Sequence, residues 1–317
     1  MIGQLASRLK QVALFNKMRK LFFFISSLLI AVAFASCGQT KNTADGKDST
    51  ILTLGVLPTI DCLPFYYADS VGLFDFYGLK MNLVTFDAAM DADTAFMNGC
   101  IDGIVTDWVK ACIIWNGNTD SIPVAMVGEL RLWLVAASES QLQNTENLKE
   151  KIIGITRHSS IDYFADKILA SAKLNSIDLN KPQINNIKIR ALMVDQNQYD
   201  GAILPEPYAS EAVAKGANRL GSTMDFGVEG LMCVLFNDSV YKTRKEEMQK
   251  IKDVYDAAVR ALNADSISNR LSYMPQSHRQ FIPDTLFQYT TLNPSTQPND
   301  SITQDIKSWA KGRGLIK

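Results

Sequence analysis

The sequence contains little of what metal sites, cofactor motifs and nucleic-acid surfaces need. Its 317 residues include two histidines, His158 and His278, and five cysteines without any Cys-x-x-Cys pair. These side chains do not have the clustered spacing of metal ligands. Lysine and arginine number 32 against 33 acids, and no stretch concentrates the basic side chains. Because a nucleic-acid partner needs a basic stripe, the sequence indicates no metal, no cofactor and no nucleic acid.

Long apolar runs are also missing. Residues 21–35 form an almost uncharged run of 15 residues, whereas a transmembrane helix needs about 20. The run follows Arg19-Lys20 and ends at Ala35-Ser36-Cys37. A short apolar segment after positive charge and before small residues is typical of a secretion signal, which we predict for residues 1–36. A transmembrane anchor is the alternative, and Met18 is a second candidate for the start of the chain.

Residues 37–49 are polar and have no apolar period, which predicts a flexible tether. Removal of residues 1–36 takes away five bases and no acids, which leaves 27 bases against 33 acids. Besides Cys37, the cysteines are Cys62, Cys100, Cys112 and Cys233. In a secreted protein they form two disulfides or stay as buried thiols, and the sequence leaves both alternatives open.

Strand and helix patterns alternate in the first lobe, which we assign to residues 50–134 together with 222–317. Strands are predicted at 51–56, 80–86, 101–105 and 130–137, and helices at 64–71, 91–98 and 107–115. Apolar strands that alternate with helices predict an α/β fold with a parallel sheet. Two later helices follow from apolar stripes between Met248 and Leu262 and between Ile302 and Trp309.

The second lobe is predicted at residues 135–221. It contains a strand at 152–156, a helix that begins at Ser159 or Ser160, a further segment at 187–189 and a strand at 201–204. Two chain crossings, near residues 135 and 221, connect the lobes. Paired crossings form a hinge, and a hinge permits closure around a ligand.

One pattern occurs twice, 98 residues apart. Ile101-Asp102-Gly103 and Tyr199-Asp200-Gly201 each precede a short apolar run that stops at polar residues. Each copy is typical of a strand whose carboxyl end faces a ligand, because helix N-termini with free N–H groups meet there in α/β sheets. Chance similarity of two ordinary strand-to-helix connections is the alternative.

Several motifs together resemble a known family. In chain order they are Leu54-Gly55-Val56-Leu57-Pro58, Phe65-Tyr66-Tyr67-Ala68, Gly99-Cys100-Ile101-Asp102-Gly103 and Leu204-Pro205-Glu206-Pro207-Tyr208-Ala209-Ser210. With this order the chain resembles the extracytoplasmic substrate-binding proteins of bacterial ABC importers, in the nitrate, sulfonate, taurine and thiamine-precursor family. The resemblance implies a type II periplasmic-binding-protein fold. In that fold each lobe is a mainly parallel sheet flanked by helices, and a two-crossing hinge joins the lobes.

The same resemblance implies partners and location. It implies a monomer that captures a small-molecule solute and delivers it to an ABC permease and its ATPase, without enzymatic activity. By the resemblance, Cys37 is the first mature residue and carries a lipid that anchors the protein to a membrane outside the cytoplasm. An enzyme related to thiamine-pyrimidine synthase is one alternative, in which Lys110 holds an aldehyde cofactor, although a solvated helical lysine is commoner. A solute sensor without transport is the other alternative.

Ligand-binding residues are predicted where strands end. In the first lobe these are Thr59, Asp61 and Asp107, and in the second lobe they are Arg157, His158, Ser159, Glu206 and Tyr208. Glu206 stands between two prolines, and it either accepts ligand N–H groups or locks the turn between the lobes. For Arg131, an ordinary ion pair with Glu129 is favoured over an anion site.

The identity of the solute stays open at this stage. Arg157, the hydroxyls and the helix N-termini suit a sulfonate or nitrate oxyanion. The predicted rim also carries acids, which suit a ligand rich in hydrogen-bond donors, such as an aminopyrimidine or an amine. These acids are Asp61, Asp87, Asp91, Asp107 and Glu206. Because exposed acids are mostly solvated, they favour the donor-rich ligand only slightly.

Overall fold

The computed structural model describes residues 51–278, 282–287 and 291–317. The predicted signal, the Cys37 lipid site, the tether and the alternative start at Met18 lie outside these residues. In the described ranges no helix is long and apolar enough to cross a membrane.

Five strands form the first sheet, in the order β2-β1-β3-β9-β4. Their bounds are β1 Leu52–Val56, β2 Met81–Thr85, β3 Gly103–Asp107, β4 Val124–Gly128 and β9 Met232–Phe236. The pairs of β1 with β2 and of β1 with β3 are parallel, whereas β9 is antiparallel to β3 and β4. The carboxyl ends of β1, β2, β3 and β4 therefore lie at one edge of the sheet.

Four strands form the second sheet, in the order β6-β7-β5-β8. Their bounds are β5 Leu132–Ala136, β6 Ile153–Gly154, β7 Gly201–Pro205 and β8 Asn218–Ser222. The pair of β6 with β7 is parallel, and β5 is antiparallel to β7 and β8. We call each sheet with its covering helices a lobe, lobe 1 for the first sheet and lobe 2 for the second. The residue limits of the lobes predicted from sequence stay a prediction.

Helices cover the sheets. In lobe 1 they are α1 Leu63–Ser70, α2 Leu73–Phe76, α3 Ala89–Met97, α4 Trp108–Ile114, α8 Asp238–Thr243, α9 Lys245–Asn263, α10 Ile267–Leu271 and α11 Asp300–Gly312. In lobe 2 they are α5 Ser160–Ser171, α6 Ile187–Asp195 and α7 Tyr208–Ala214. The helix predicted at 64–71 corresponds to α1, and Gly72, with a left-handed φ of 71°, separates it from α2.

The sheets are mixed, so the expectation of mainly parallel sheets holds only for the strands that alternate with helices. The antiparallel strands adjoin the two links between the sheets. β5 begins four residues after β4 ends, and β9 follows β8 after the 3₁₀ turn Thr223–Phe226. Neither link contains a crossover helix, which two parallel neighbouring strands would need between them.

Both faces of each sheet are buried. Along β9, Met232, Val234 and Phe236 pack into one apolar cluster, while Cys233 and Leu235 pack into another. In β5, Leu134 and Val135 likewise point to opposite clusters. This alternation follows the period of two in a strand, and it explains why the strands read as continuous apolar runs.

The repeated Asp-Gly pattern has one structural role in both lobes. Oδ2 of Asp102 accepts the backbone N–H of Thr53 at 2.8 Å, and Oδ2 of Asp200 accepts that of Ile152 at 2.9 Å. Each aspartate thus ties the start of its strand to the neighbouring parallel strand, β1 in lobe 1 and β6 in lobe 2. The similarity of the two copies is therefore structural.

Candidate ligand site between the lobes

A cavity of about 60 Å³ lies between the lobes. Both lobes line it, and it borders the edge at which the parallel strands end. Its polar lining residues are Thr59, Asp61, Thr106, Asp107 and Lys110 from lobe 1, and Thr156, Ser159, Ser160, Asn185 and Arg190 from lobe 2. Four predicted site residues, Thr59, Asp61, Asp107 and Ser159, thus meet in one place. This cavity has the position and the lining of a ligand site.

Thr59 follows β1 and is 2 % exposed. Its hydroxyl has no hydrogen-bond partner among the described residues. The next residues form a 3₁₀ turn, Ile60–Cys62, and the N–H of Ile60 donates to the carbonyl of Glu206 in lobe 2 at 3.0 Å. A buried hydroxyl without a partner is costly, so Thr59 offers a ready contact for a bound solute.

Asp61 lies in the same turn and is half-buried. Burial raises the pKa of its carboxyl to about 6, against an ordinary value of 3.8. The neutral and the charged form are therefore both populated near neutral pH. Asp61 can donate a hydrogen bond to a solute in one form and accept one in the other.

Asp107 ends β3 and caps α4 by accepting the N–H of Lys110 at 2.8 Å. The same oxygen, Oδ1, accepts the N–H and the hydroxyl of Ser160, each at 3.0 Å. Burial raises the pKa of this carboxyl, although the neighbouring Lys110 works against the shift. Asp107 therefore bonds one lobe to the other as well as lining the cavity.

Arg190 is a lining residue that sequence reasoning missed. It is 1 % exposed, and its guanidinium donates to the carbonyls of Ile203 and Ile184 and to the hydroxyl of Thr156. No carboxylate of the described residues lies within ion-pair distance of it, and burial lowers its pKa to about 10. A buried cation that lacks a counter-charge favours an anionic group in the adjoining cavity.

The sequence around Arg190 contains only weak indications of its role. The segment 187–189 is the first turn of α6, which Asn186 caps by accepting the N–H of Ile189. Ile189 and Leu192 of this helix are exposed, whereas Arg190 is buried. Because the helix does not separate apolar from charged residues, its apolar period could not show that the arginine points inward.

Lys110 corrects one expectation. We expected a solvated lysine on a helix surface, but the residue is 8 % exposed and lines the cavity. Its ammonium pairs with Asp93 of α3 at 2.6 Å. Helix α4 is buried along Trp108–Cys112, so its lysine has no path to bulk solvent and needs this partner.

Arg157 and His158 lie outside the cavity lining and are exposed. The guanidinium of Arg157 donates to the carbonyl of Lys181 at 3.4 Å. His158 adopts a left-handed φ of 55°, and its N–H donates to Asp162. Ser159 ends this turn and caps α5 by accepting the N–H of Ile161. The predicted group thus divides, with only Ser159 on the cavity.

Glu206 and Tyr208 are buried but do not line the cavity. Glu206 pairs with Arg219 at 3.0 Å and accepts the N–H of Ser210. Burial raises the pKa of its carboxyl, while Arg219 opposes the shift. These contacts hold the Glu206 carboxylate within lobe 2, away from the cavity.

Tyr208 takes part in a contact between the lobes. Its hydroxyl lies 3.3 Å from Nδ1 of His278, whose Nε2 lies 3.0 Å from the carboxylate of Asp87. Burial and the positive charge of Lys188 lower the pKa of His278. Tyr208, in lobe 2, is thus fixed by residues of lobe 1 rather than directed at the cavity.

Arg131 and the cysteines are the other side chains that the sequence singled out. The ion pair of Arg131 with Glu129 is confirmed, with an N–O distance of 2.6 Å. Cys62, Cys112 and Cys233 are buried free thiols, whereas Cys100 is a free thiol at the surface. No group of three or more histidine, cysteine or acidic side chains suited to a metal ion occurs among the described residues.

A second cavity, of about 470 Å³, lies where α11 begins. It is lined by the end of β4, by 227–230 and by 293–305, and by no residue of the lobe 2 sheet. Its acid Glu129 is already bonded to Arg131 and Asn293. The smaller cavity is the better ligand site, because uncompensated buried groups and both lobes meet there.

A scan against models of known protein families finds no match, and neither does a comparison with curated protein sequences. Solved structures are similar. The alkanesulfonate-binding protein from Xanthomonas axonopodis pv. citri, bound to MOPS, has a TM-score of 0.69 and 17 % identity, and the match covers 84 % of this chain and 94 % of that one. The nitrate-binding protein from Synechocystis PCC 6803 has a TM-score of 0.69 and 13 % identity, and the match covers 84 % of this chain and 82 % of that one. The aliphatic sulphonate binding protein from Escherichia coli has a TM-score of 0.66 and 17 % identity, and the match covers 84 % of this chain and 88 % of that one.

These similarities cover most of this chain and most of each of the three solved chains. At such low identity they establish the architecture and not the solute. The chain has the two-lobed α/β fold of periplasmic binding proteins.

Proposed function

We propose that the protein is an extracytoplasmic solute-binding protein that captures a small solute between its lobes and delivers it to an ABC permease. The observation that carries the proposal is the cavity between the lobes, where the Thr59 hydroxyl and the Arg190 guanidinium are buried without full compensation. Such groups are retained at a cost to stability, and a bound solute would offset that cost.

The charges of the cavity bear on the class of solute. Arg190 favours a solute with an anionic group, in line with the sulfonate-binding and nitrate-binding proteins that share the fold. Asp61 and Asp107 favour hydrogen-bond donors on the same solute. We therefore place an organic anion with donor groups ahead of an aminopyrimidine or an amine, which would leave Arg190 without a counter-charge.

Attachment to the membrane belongs to the same proposal. Cys37 would carry the lipid and residues 38–49 would serve as the tether. A small solute, the permease with its ATPase and the membrane are the proposed partners, and the protein would act as a monomer. Incorporation of a radiolabelled fatty acid by the wild type and its absence in Cys37→Ser would test the anchor.

An enzymatic role has less support. Lys110, the residue that would hold an aldehyde cofactor, is paired with Asp93. His158 is exposed away from the cavity, and His278 is held by Tyr208 and Asp87. None of these groups stands beside an activated nucleophile among the described residues, which supports binding rather than turnover.

The test is a thermal-shift measurement with sulfonates, nitrate, aminopyrimidines, thiamine and amines. A solute that binds only the folded protein raises the melting temperature by an amount that grows with the logarithm of its concentration over its Kd. We expect a rise with an organic anion. If no solute in the panel raises the melting temperature, the proposal loses its main support, and a rise only with amines would contradict the preference for an anion.

A further inference from the structure

The N-terminus of α5 in lobe 2 has an unusual occupant. A helix of this length carries partial positive charge at its first turn and attracts anions there. The N–H and the hydroxyl of Ser160 both point to one oxygen of Asp107, each at 3.0 Å. Asp107 belongs to lobe 1, so a carboxylate of one lobe occupies the anion position of the other.

The second oxygen of Asp107 remains available. Oδ1 accepts the bonds from Ser160 and the N–H of Lys110, whereas Oδ2 forms no hydrogen bond within the described part of the chain. The residue is 9 % exposed and lines the cavity. Asp107 therefore presents negative charge to a solute, while it withholds the donors of the α5 N-terminus from that solute.

The other charged residues that line the cavity are Lys110, Arg190 and Asp61. The ammonium of Lys110 pairs with Asp93 at 2.6 Å, so it does not fully neutralise the negative charge of a solute. Of the two cations that line the cavity, Arg190 is the one without a carboxylate partner in the described ranges. Asp61 adds a second acid to the lining. A monoanion and a dianion both face the carboxylates of Asp61 and Asp107, but the dianion is repelled about twice as strongly, and the single charge of Arg190 offsets less of that repulsion.

We propose that Asp107 is a specificity-determining residue that excludes dianionic oxyanions such as sulfate and phosphate. It does so by acting as the protein's own anion at the α5 N-terminus. The inference rests on the proposed function, because it takes the cavity between the lobes as the solute site. Thr59 supports that premise independently, since its buried hydroxyl lines the same cavity without a partner in the described residues.

Asp107→Ser in the full chain is the variant that tests this role. Serine still caps α4, but its shorter side chain cannot reach Ser160, so the α5 N-terminus becomes free for an added anion. The probe is inorganic sulfate, titrated by calorimetry. We expect Asp107→Ser to bind sulfate at least tenfold more tightly than the wild type.

Asp61→Asn is the matched control, because it removes an acid from the same cavity and leaves Asp107 on the helix. A gain below about threefold in this variant supports the inference. Equal gains in the two variants would overturn it, since general loss of negative charge would then explain the effect. No gain in a folded Asp107→Ser, or sulfate binding by the wild type as tight as its binding of an organic sulfonate, would also overturn it.

Asp107→Asn serves if the serine variant does not fold. Asparagine keeps the bonds to Ser160 and loses the charge, so sulfate should bind at least threefold more tightly than to the wild type. No gain there contradicts the inference. Failure of the proposed function gives a different result. If the wild type binds no organic solute but Asp107→Ser gains affinity for sulfate, Asp107 is still the anion at the α5 N-terminus, and the transport role is removed.

Discussion

Arg190 and Asp61 share one cavity, yet burial shifts their pKa values in opposite directions. It lowers the pKa of the guanidinium to about 10 and raises that of the carboxyl to about 6. In both cases the low polarity of the site disfavours the charged form. Arg190 keeps its charge at neutral pH, because even the lowered pKa lies well above 7. Asp61, by contrast, titrates near neutral pH, because its raised pKa is about 6.

The Asp61 shift predicts a pH-dependent stability. The folded-state pKa lies above the ordinary 3.8, so the folded protein binds the extra proton and loses stability as pH rises from about 4 through 6. Asp61→Asn mimics the protonated form. We expect it to raise the free energy of unfolding by about 1–2 kcal/mol at pH 7.5, less than the full shift implies because the side chain is partly exposed.

Urea unfolding of both proteins at several pH values measures this difference. It should shrink towards zero near pH 4, where Asp61 is protonated in the folded and the unfolded state. Asp75→Asn, at an exposed ion pair with Lys80, serves as control and should change stability by less than about 0.5 kcal/mol. A constant difference between wild type and Asp61→Asn over the whole pH range would contradict the assignment.

Arg190→Met tests the anion contact. It removes the charge while keeping much of the side-chain volume, so we expect at least a tenfold loss of affinity for an anionic solute. Loss of the bonds to Ile203, Ile184 and Thr156 should also lower stability by about 1–3 kcal/mol.

Calorimetric titration of the folded variant separates affinity from stability. Arg219→Met is the matched control, because Arg219 is mostly buried in the same lobe, bonds Glu206 and does not line the cavity. It should lose stability and keep its affinity. Equal losses of affinity in the two variants would mean that the arginine acts through the fold.

Sequence reasoning located half of the predicted site residues on the cavity, and the reason is geometric. Asp107 ends β3, and Thr59, Asp61 and Ser159 lie within five residues of a strand end, where the carboxyl ends of parallel strands converge. Arg190 lies inside a helix, so no strand-end rule could identify it. Glu206 and Tyr208 do follow a strand, but Arg219 and His278 hold them away from the cavity, and these partners are distant in sequence.

At the scale of the elements, the two Asp-Gly copies show why glycine follows the aspartate. A Cβ on Gly201 would lie 2.4 Å from the carbonyl oxygen of Val135, and one on Gly103 would lie 2.9 Å from that of Leu235. In each lobe the glycine pairs with an antiparallel strand, β5 or β9, that adjoins a link between the sheets. The close approach of backbones there leaves no room for a side chain.

Gly201→Ala should therefore destabilise lobe 2. The added methyl meets backbone that cannot move aside, and we expect a loss of about 2–4 kcal/mol in the free energy of unfolding. Gly312→Ala is the control, because a Cβ there meets nothing within 4 Å at the end of α11. It should stabilise by about 0.5–1 kcal/mol. Urea denaturation measures both, and an unchanged Gly201→Ala would contradict the close approach.

The elements were predicted best where the period was clear. The strands at 51–56 and 80–86 and the helix stripe from Met248 to Leu262 correspond to β1, β2 and α9. The strands β4, β8 and β9 were missed. Their pairing is antiparallel and crosses long stretches of sequence, so local alternation of strand and helix does not reveal it.

At the scale of the whole molecule, helices α5 and α11 join the lobes through charge. Asp166 of α5 accepts the indole N–H of Trp309 at 2.9 Å and pairs with Arg313 and with Lys181. Burial acts to raise the pKa of Asp166, but these hydrogen bonds and charges outweigh it and lower the pKa. The carboxylate is therefore ionised at neutral pH and favours contact between the lobes.

Asp166→Asn should shift the protein towards an open form. Loss of about 1–2 kcal/mol at the lobe contact changes the ratio of closed to open protein by about 5- to 30-fold. We expect a larger radius of gyration without solute and a weaker affinity for any solute. Small-angle scattering and calorimetry measure the two effects.

Asp195→Asn is the matched control for this contact. Asp195 pairs with Lys215 at 2.6 Å within lobe 2, and its side chain is 13 % exposed against 15 % for Asp166. It should leave the scattering and the affinity unchanged. The same change in both variants would show that lobe contact is not what Asp166 controls.

The paired ties of Asp102 and Asp200 bear on how such a protein diversifies. Each lobe contains one copy of a strand unit fastened in the same way, and the two strands end differently, at Thr106-Asp107 in one and at Leu204-Pro205 in the other. Because the fastening is shared, one copy can vary at the solute while the other, stiffened by proline, preserves the scaffold. New solute preferences would then arise by substitution beside Asp107, with the opposite wall left intact.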